Sequence, residues 1–154
     1  MLLPPERTIP HATDPAHHRQ PDPPRSGRPA TASSLSDALT AELLASDVLI
    51  IATPMWNFGI PSALKAWIDL VVRPGRTFAY AGQGKRAYVL AASGGVFREG
   101  AWAGWDFVAP YLHRILGFIG IADVETIRIE GMTIPYLAEQ AIPNALESID
   151  QLAL

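Results

Sequence analysis

The chain has no cysteine, which excludes a disulfide framework and any thiol nucleophile. Charge is also sparse. Asp, Glu, Lys and Arg together make up 18% of 154 residues, and the formal net charge is −3, so nothing invites a polyanion such as a nucleic acid. No apolar run approaches the roughly 20 residues of a membrane span, and the first residues contain no apolar core of signal-peptide type. No paired carboxylates or His–Asp set stands out as an acid–base dyad. These absences predict a cytoplasmic globular protein with no nucleic-acid or membrane partner. The 49% of apolar residues is enough for one domain with its own core.

Proline is scarce except at one end. Eight of the fourteen prolines lie in residues 1–34, where little but Leu2, Leu3 and Ile9 is apolar. Such a stretch cannot bury enough surface to offset its ordering entropy. Residues 1–34 are therefore expected to be a disordered Pro-rich tail, with His11, His17 and His18 solvated rather than ligating metal, and residues 35–154 to be the folded domain.

That domain is organised around one unit. Residues 48–52, VLIIA, are a short unbroken run rich in β-branched residues, the pattern of a strand buried on both faces of a parallel sheet. It ends at Thr53-Pro54, since proline supplies no ladder donor. A helix is expected from Pro61, at its first position, with Ile60, Leu64, Trp67, Ile68, Val71 and Val72 as its apolar stripe, ending at Pro74-Gly75. Between them lie Met55, Trp56, Asn57, Phe58 and Gly59. A loop at the carboxyl end of a parallel strand, leading into a helix, is where open α/β sheets bind ligands. Two aromatics, a thioether and an amide can wall a flat conjugated ring and hydrogen-bond its polar edge. They can equally cap the sheet.

A first helix is predicted from Ser36 as N-cap, with Asp37 in its first turn. Residues 87–92 read as a second interior strand, followed by Ser93-Gly94-Gly95, where glycines permit close approach or positive φ. A helix marked by Trp102, Trp105, Val108, Leu112, Ile115 and Ile119 follows, its start left open by Pro110 near the first turn, then an alternating edge strand over 124–130. The last helix starts near Pro135, and Pro143 is expected to kink or break it.

The segment TPMWNFGIPSALKAWID, together with RPGRTFAY, ASGG and LGFIGI, resembles the FMN-dependent NADH-azoreductases and NAD(P)H quinone reductases. The resemblance runs from about Leu35 to the C-terminus. Trp56 stands where that family usually has tyrosine, and Ala92-Ser93-Gly94-Gly95 where it usually has Ser-Arg-Gly-Gly. The resemblance implies an α/β flavodoxin-like doubly wound parallel sheet, with strand order 2-1-3-4-5. It implies FMN as cofactor, NAD(P)H as electron donor, an azo or quinone substrate, ping-pong hydride transfer and a homodimer. Met55, Trp56, Asn57, Phe58, Ala92, Ser93, Gly94 and Gly95 would bind the flavin, and Phe97, Tyr80 and Phe78 would face the substrate. No catalytic side chain and no metal are implied.

The family's first strand, phosphate-binding turn with its helix, and second strand should precede Leu35, and no run in residues 1–34 supplies them. The expected sheet is thus incomplete, N-terminally truncated, with residues 48–52 as an apolar open edge. The alternative to an enzyme is a non-enzymatic remnant that binds flavin poorly or not at all.

Overall fold

The computed structural model describes residues 30–78 and 84–152. The elements follow as α1 (Ala30–Ala45), β1 (Val48–Pro54), α2 (Ser62–Val71), β2 (Arg86–Ala92), a 3-10 turn (Gly100–Trp105), α3 (Ala109–Phe118), β3 (Asp123–Ile129) and α4 (Pro135–Asp150). The three strands form one parallel sheet in the order β1-β2-β3. Val48 lies opposite Arg86, and Arg86 opposite Asp123. Residues 1–29, most of the expected tail, lie outside the described residues.

Side chains alternate across β2. Ala87, Val89 and Ala91 face a core made with Leu43 of α1, Ile68 and Val71 of α2, and Leu112 and Leu116 of α3. Tyr88, on the opposite face, packs with Ile127 of β3 and Ala145 of α4. One face is thus covered by three helices. Among the described residues the other is covered by α4 alone, over β2 and β3. β1 is left bare there, with Val48 and Ile50 exposed at 49% and 66%. The expectation of a strand buried on both faces is therefore corrected: only Ile51 and Thr53 of β1 are buried, because among the described residues the strand has one neighbour and one covered face.

Four boundaries depart from expectation. Helix α1 starts at Ala30, six residues before Ser36, so residues 30–34 are helix rather than tail; the alanines of ATASS favour helix and no proline falls within residues 30–45. Ser36 is buried inside the helix instead of capping it, and its Oγ donates to the Leu70 carbonyl of α2 at 2.6 Å. Asp37 ties α1 to the turn that follows α2, through Arg73 and, at 3.0 Å, Arg76; the hydrogen bond from Arg73 holds its carboxyl below the usual aspartate range. Helix α2 stops at Val71, where Thr77, 1% exposed, bonds both the Val71 carbonyl and the Arg73 amide. The helix expected over 102–119 is split, because the Asp106 carboxylate accepts the amides of Val108 and Ala109 at 2.9 and 3.1 Å and starts a new helix there. Helix α4 runs unbroken through Pro143.

Candidate functional site

The carboxyl ends of β1 and β2 are tied to each other and to β3. Met55 N donates to the Ala92 carbonyl at 2.7 Å, extending the ladder by one bond, and Ser93 N donates to the Ile129 carbonyl at 2.9 Å. Both predicted loops therefore leave the same edge of the sheet. The first closes at once into a tight hairpin: Trp56 and Gly59 exchange both backbone hydrogen bonds at 3.0 Å. Its two central residues, Asn57 and Phe58, have φ of 49° and 67°, the paired left-handed conformation of a type I′ turn. The second loop is held from within by Ser93 Oγ, which donates to the Gly95 carbonyl at 2.9 Å. It is held from outside by Thr133, whose amide and hydroxyl both donate to the Gly94 carbonyl.

Met55, Asn57, Phe58, Ser93, Gly94, Gly95 and Phe97 line one cavity of about 240 Å³ between the loops. Among the described residues, the backbone N–H groups of four of these, Asn57, Phe58, Gly94 and Gly95, have no protein acceptor, which leaves donors on the loops that line the cavity. An aromatic wall stands on one side. Phe58 meets Phe97 edge-on at 6.0 Å, lies parallel to Trp102 at 6.2 Å and touches Trp105 at 5.1 Å between centroids.

Not every expected residue joins. Trp56 is 62% exposed and is not among the residues lining this cavity; its backbone closes the hairpin. Ala92 contributes its carbonyl, as the last residue of β2. Phe78 is a correction: it follows α2, which carries the chain back to the amino edge of the sheet, and there it packs on Phe118 at 4.8 Å, away from the cavity. Tyr80 lies outside the described residues. Of the two expected reasons for the glycines, positive φ does not apply. Neither Gly94 nor Gly95 has positive φ; a Cβ on Gly94 would meet Thr133 at 2.9 Å, and one on Gly95 the Phe97 ring at 3.2 Å.

Sequence reasoning missed a buried ion network behind the second loop, made by Asp106, Arg128 and Glu130. Arg128 bonds Asp106 at 2.7 Å, and both carboxylates are at most 8% exposed. The signal was the charge alternation of β3, read only as the mark of an edge strand.

Larger grooves lie elsewhere. One of about 390 Å³ runs along the outer edge of β1, with Leu39, Leu43, Leu64 and Trp67 among its walls; the smaller cavity is the better site because it lies between the loops at the carboxyl ends of the strands, where open α/β sheets bind ligands. Among the described residues no three His, Asp or Glu gather as a metal site, and no helix is long and apolar enough to cross a membrane.

The fit of a flavin mononucleotide to this edge is uneven. The ring has a cavity with an aromatic wall and free amides. The strand, phosphate-binding turn and helix that would cradle the phosphate do not precede β1 among the described residues, where α1 leads directly into it.

Comparison with known proteins gives the family. A family model described as flavodoxin-like fold matches residues 6–153, reaching further towards the N-terminus than the motif resemblance from Leu35. An FMN-dependent NADH:quinone oxidoreductase of Beijerinckia indica subsp. indica is 62% identical over 126 residues, covering 77% of this chain and 62% of the relative. Another, from Rhizobium johnstonii, is 43% identical over 144 residues, covering 88% of this chain and 71% of the relative. Among solved structures, an azoreductase from Bacillus anthracis str. Sterne has a TM-score of 0.71 at 33% identity, covering 77% of this chain and 61% of its own. The chain thus spans about three fifths of the Beijerinckia relative and of that azoreductase.

Proposed function

The chain belongs to the flavodoxin-like fold family, and from that premise we propose that it is the ring-binding part of an FMN-dependent NADH:quinone oxidoreductase working in the cytoplasm. One observation carries the reading: seven residues from two loops line one cavity at the carboxyl edge of the sheet, and among the described residues the backbone amides of four of them, Asn57, Phe58, Gly94 and Gly95, have no protein acceptor. In an open α/β sheet this is where ligands bind. Met55, Phe58 and Phe97 would wall the isoalloxazine. The amides of Asn57, Gly94 and Gly95, with the Asn57 side chain, would donate to its polar edge, and the 93–95 backbone would lie along it. Bound there, FMN supplies a two-electron carrier between NAD(P)H and an acceptor. The residues' own part is to orient the ring and keep water from one side of it; no side-chain acid or base is needed.

Azo compounds are proposed as alternative acceptors because solved neighbours are named azoreductases. Donor and acceptor would take turns at one open face, giving ping-pong kinetics. A homodimer is proposed from the exposed aromatics beside the site, Trp102, Trp105 and Phe107, which are 49–57% exposed and suit a partner surface.

A second reading is a domain that binds flavin poorly or not at all and catalyses nothing. It is favoured by the bare edge of β1 and by the lack of a phosphate turn among the described residues. Titrating the purified protein with FMN by flavin fluorescence, then assaying NADH-dependent quinone and azo-dye reduction in excess FMN, decides between them. The proposal expects weak but saturable uptake, with turnover that rises with occupancy. No saturable binding and no turnover establishes the second reading.

A further inference from the structure

Glu130 follows the last residue of β3, and its side chain is 8% exposed. One oxygen, Oε1, accepts the backbone amides of Phe97 and Arg98 at 2.8 and 2.9 Å and faces Arg128 Nη1 at 3.4 Å. Arg128 Nη2 reaches Asp106 Oδ2 at 2.7 Å, and Asp106 Oδ1 fixes the amides of Val108 and Ala109. The residue between them, Phe107, donates its amide to the Phe58 carbonyl at 3.0 Å. One chain of contacts therefore runs from the loop bearing Gly94, Gly95 and Phe97 through two carboxylates and a guanidinium to the hairpin bearing Asn57 and Phe58.

The other oxygen, Oε2, is buried and has no hydrogen bond; its nearest cation is Arg98 Nε at 3.7 Å. A buried carboxylate with one oxygen unsatisfied is a poor device for stability. Its geometry suits a different task, since a single oxygen fixes two successive amides. We propose that Glu130 is a positioning residue that holds the two ring-facing loops in mutual register. This rests on the flavin reading for its purpose, but the register itself is a property of the protein alone.

The test compares Glu130→Ala and Glu130→Gln with the unaltered protein, at a temperature where all three are folded by circular dichroism. Hydrogen exchange at the amides of Phe97, Arg98 and Phe107 reads the register directly, without flavin. In Glu130→Ala all three should exchange at least about tenfold faster, the loss expected for a charge-assisted bond. In Glu130→Gln the amide oxygen can replace Oε1, and the new NH₂ stands where Oε2 bonded nothing, so exchange should return to within about threefold of the original. FMN affinity should follow the same order, falling roughly tenfold in the alanine variant and recovering in the glutamine one. Faster exchange confined to Phe97 and Arg98, or equal exchange in all three proteins, overturns the inference. If the unaltered protein takes up no FMN, the flavin reading fails, and the exchange rates still decide the role of Glu130.

Discussion

At the scale of single residues, the most constrained positions are Asn57 and Phe58, both in the left-handed region. Asparagine tolerates it because its short amide can bond locally, whereas phenylalanine there costs about 1–2 kcal/mol. The Phe58 ring is packed against Phe97, Trp102 and Trp105, and its carbonyl is bonded by Phe107; together these hold the strained turn and aim both residues at the cavity. Asn57 thus has two candidate duties, turn former and ligand donor, and two substitutions separate them. Asn57→Ala should weaken FMN binding by about 1–3 kcal/mol and also lower the thermal midpoint through strain. Asn57→Gly keeps the turn, so the midpoint should hold while the same affinity is lost. Full affinity in the glycine variant, read by flavin fluorescence, would leave Asn57 a backbone duty only.

Among the elements, α4 contains a conflict worth measuring. Pro143 stands exposed inside a continuous helix, with no N–H to offer the carbonyl four residues back and a ring that crowds it. Pro143→Ala should raise unfolding free energy by about 1–3 kcal/mol, read as a shifted denaturant midpoint at unchanged slope; an unchanged midpoint would mean that the helix is already relaxed around the ring. The strands were legible because a parallel strand with a covered face reads as a continuous apolar run, as in 48–52 and 87–92. The loops were legible as a site only through the aromatics and glycines they hold. What sequence could not give was the type I′ turn, since nothing in Asn57-Phe58 announces positive φ at a phenylalanine. The break before α3 was half legible, since Pro110 made the start of that helix uncertain and stands in its first turn; the side-chain cap from Asp106 was not. Phe78 was misplaced because aromatic character says nothing of which edge a helix returns to.

Over the whole molecule, the unequal cover of the sheet is the dominant feature. Val48 and Ile50 stand on the bare face of an outer strand, beside an apolar groove. A strand of this kind recruits other chains, and a charge on it blocks pairing. Ile50→Lys should therefore reduce self-association, seen as lower light scattering at equal concentration, with little change in thermal midpoint because that side chain is already 66% exposed. Scattering equal to that of the unaltered protein would place the sticky surface elsewhere. The register has a further consequence, for the assembly of the sheet. Val48 pairs with Arg86 and Arg86 with Asp123, so the two strand pairings enclose the same span of chain to within one residue. Closure entropy depends only on the logarithm of that span. Bringing β1 to β2 therefore costs the chain as much freedom as bringing β3 to β2, and the order in which the two pairings form rests on the side chains each buries rather than on the length of the crossover.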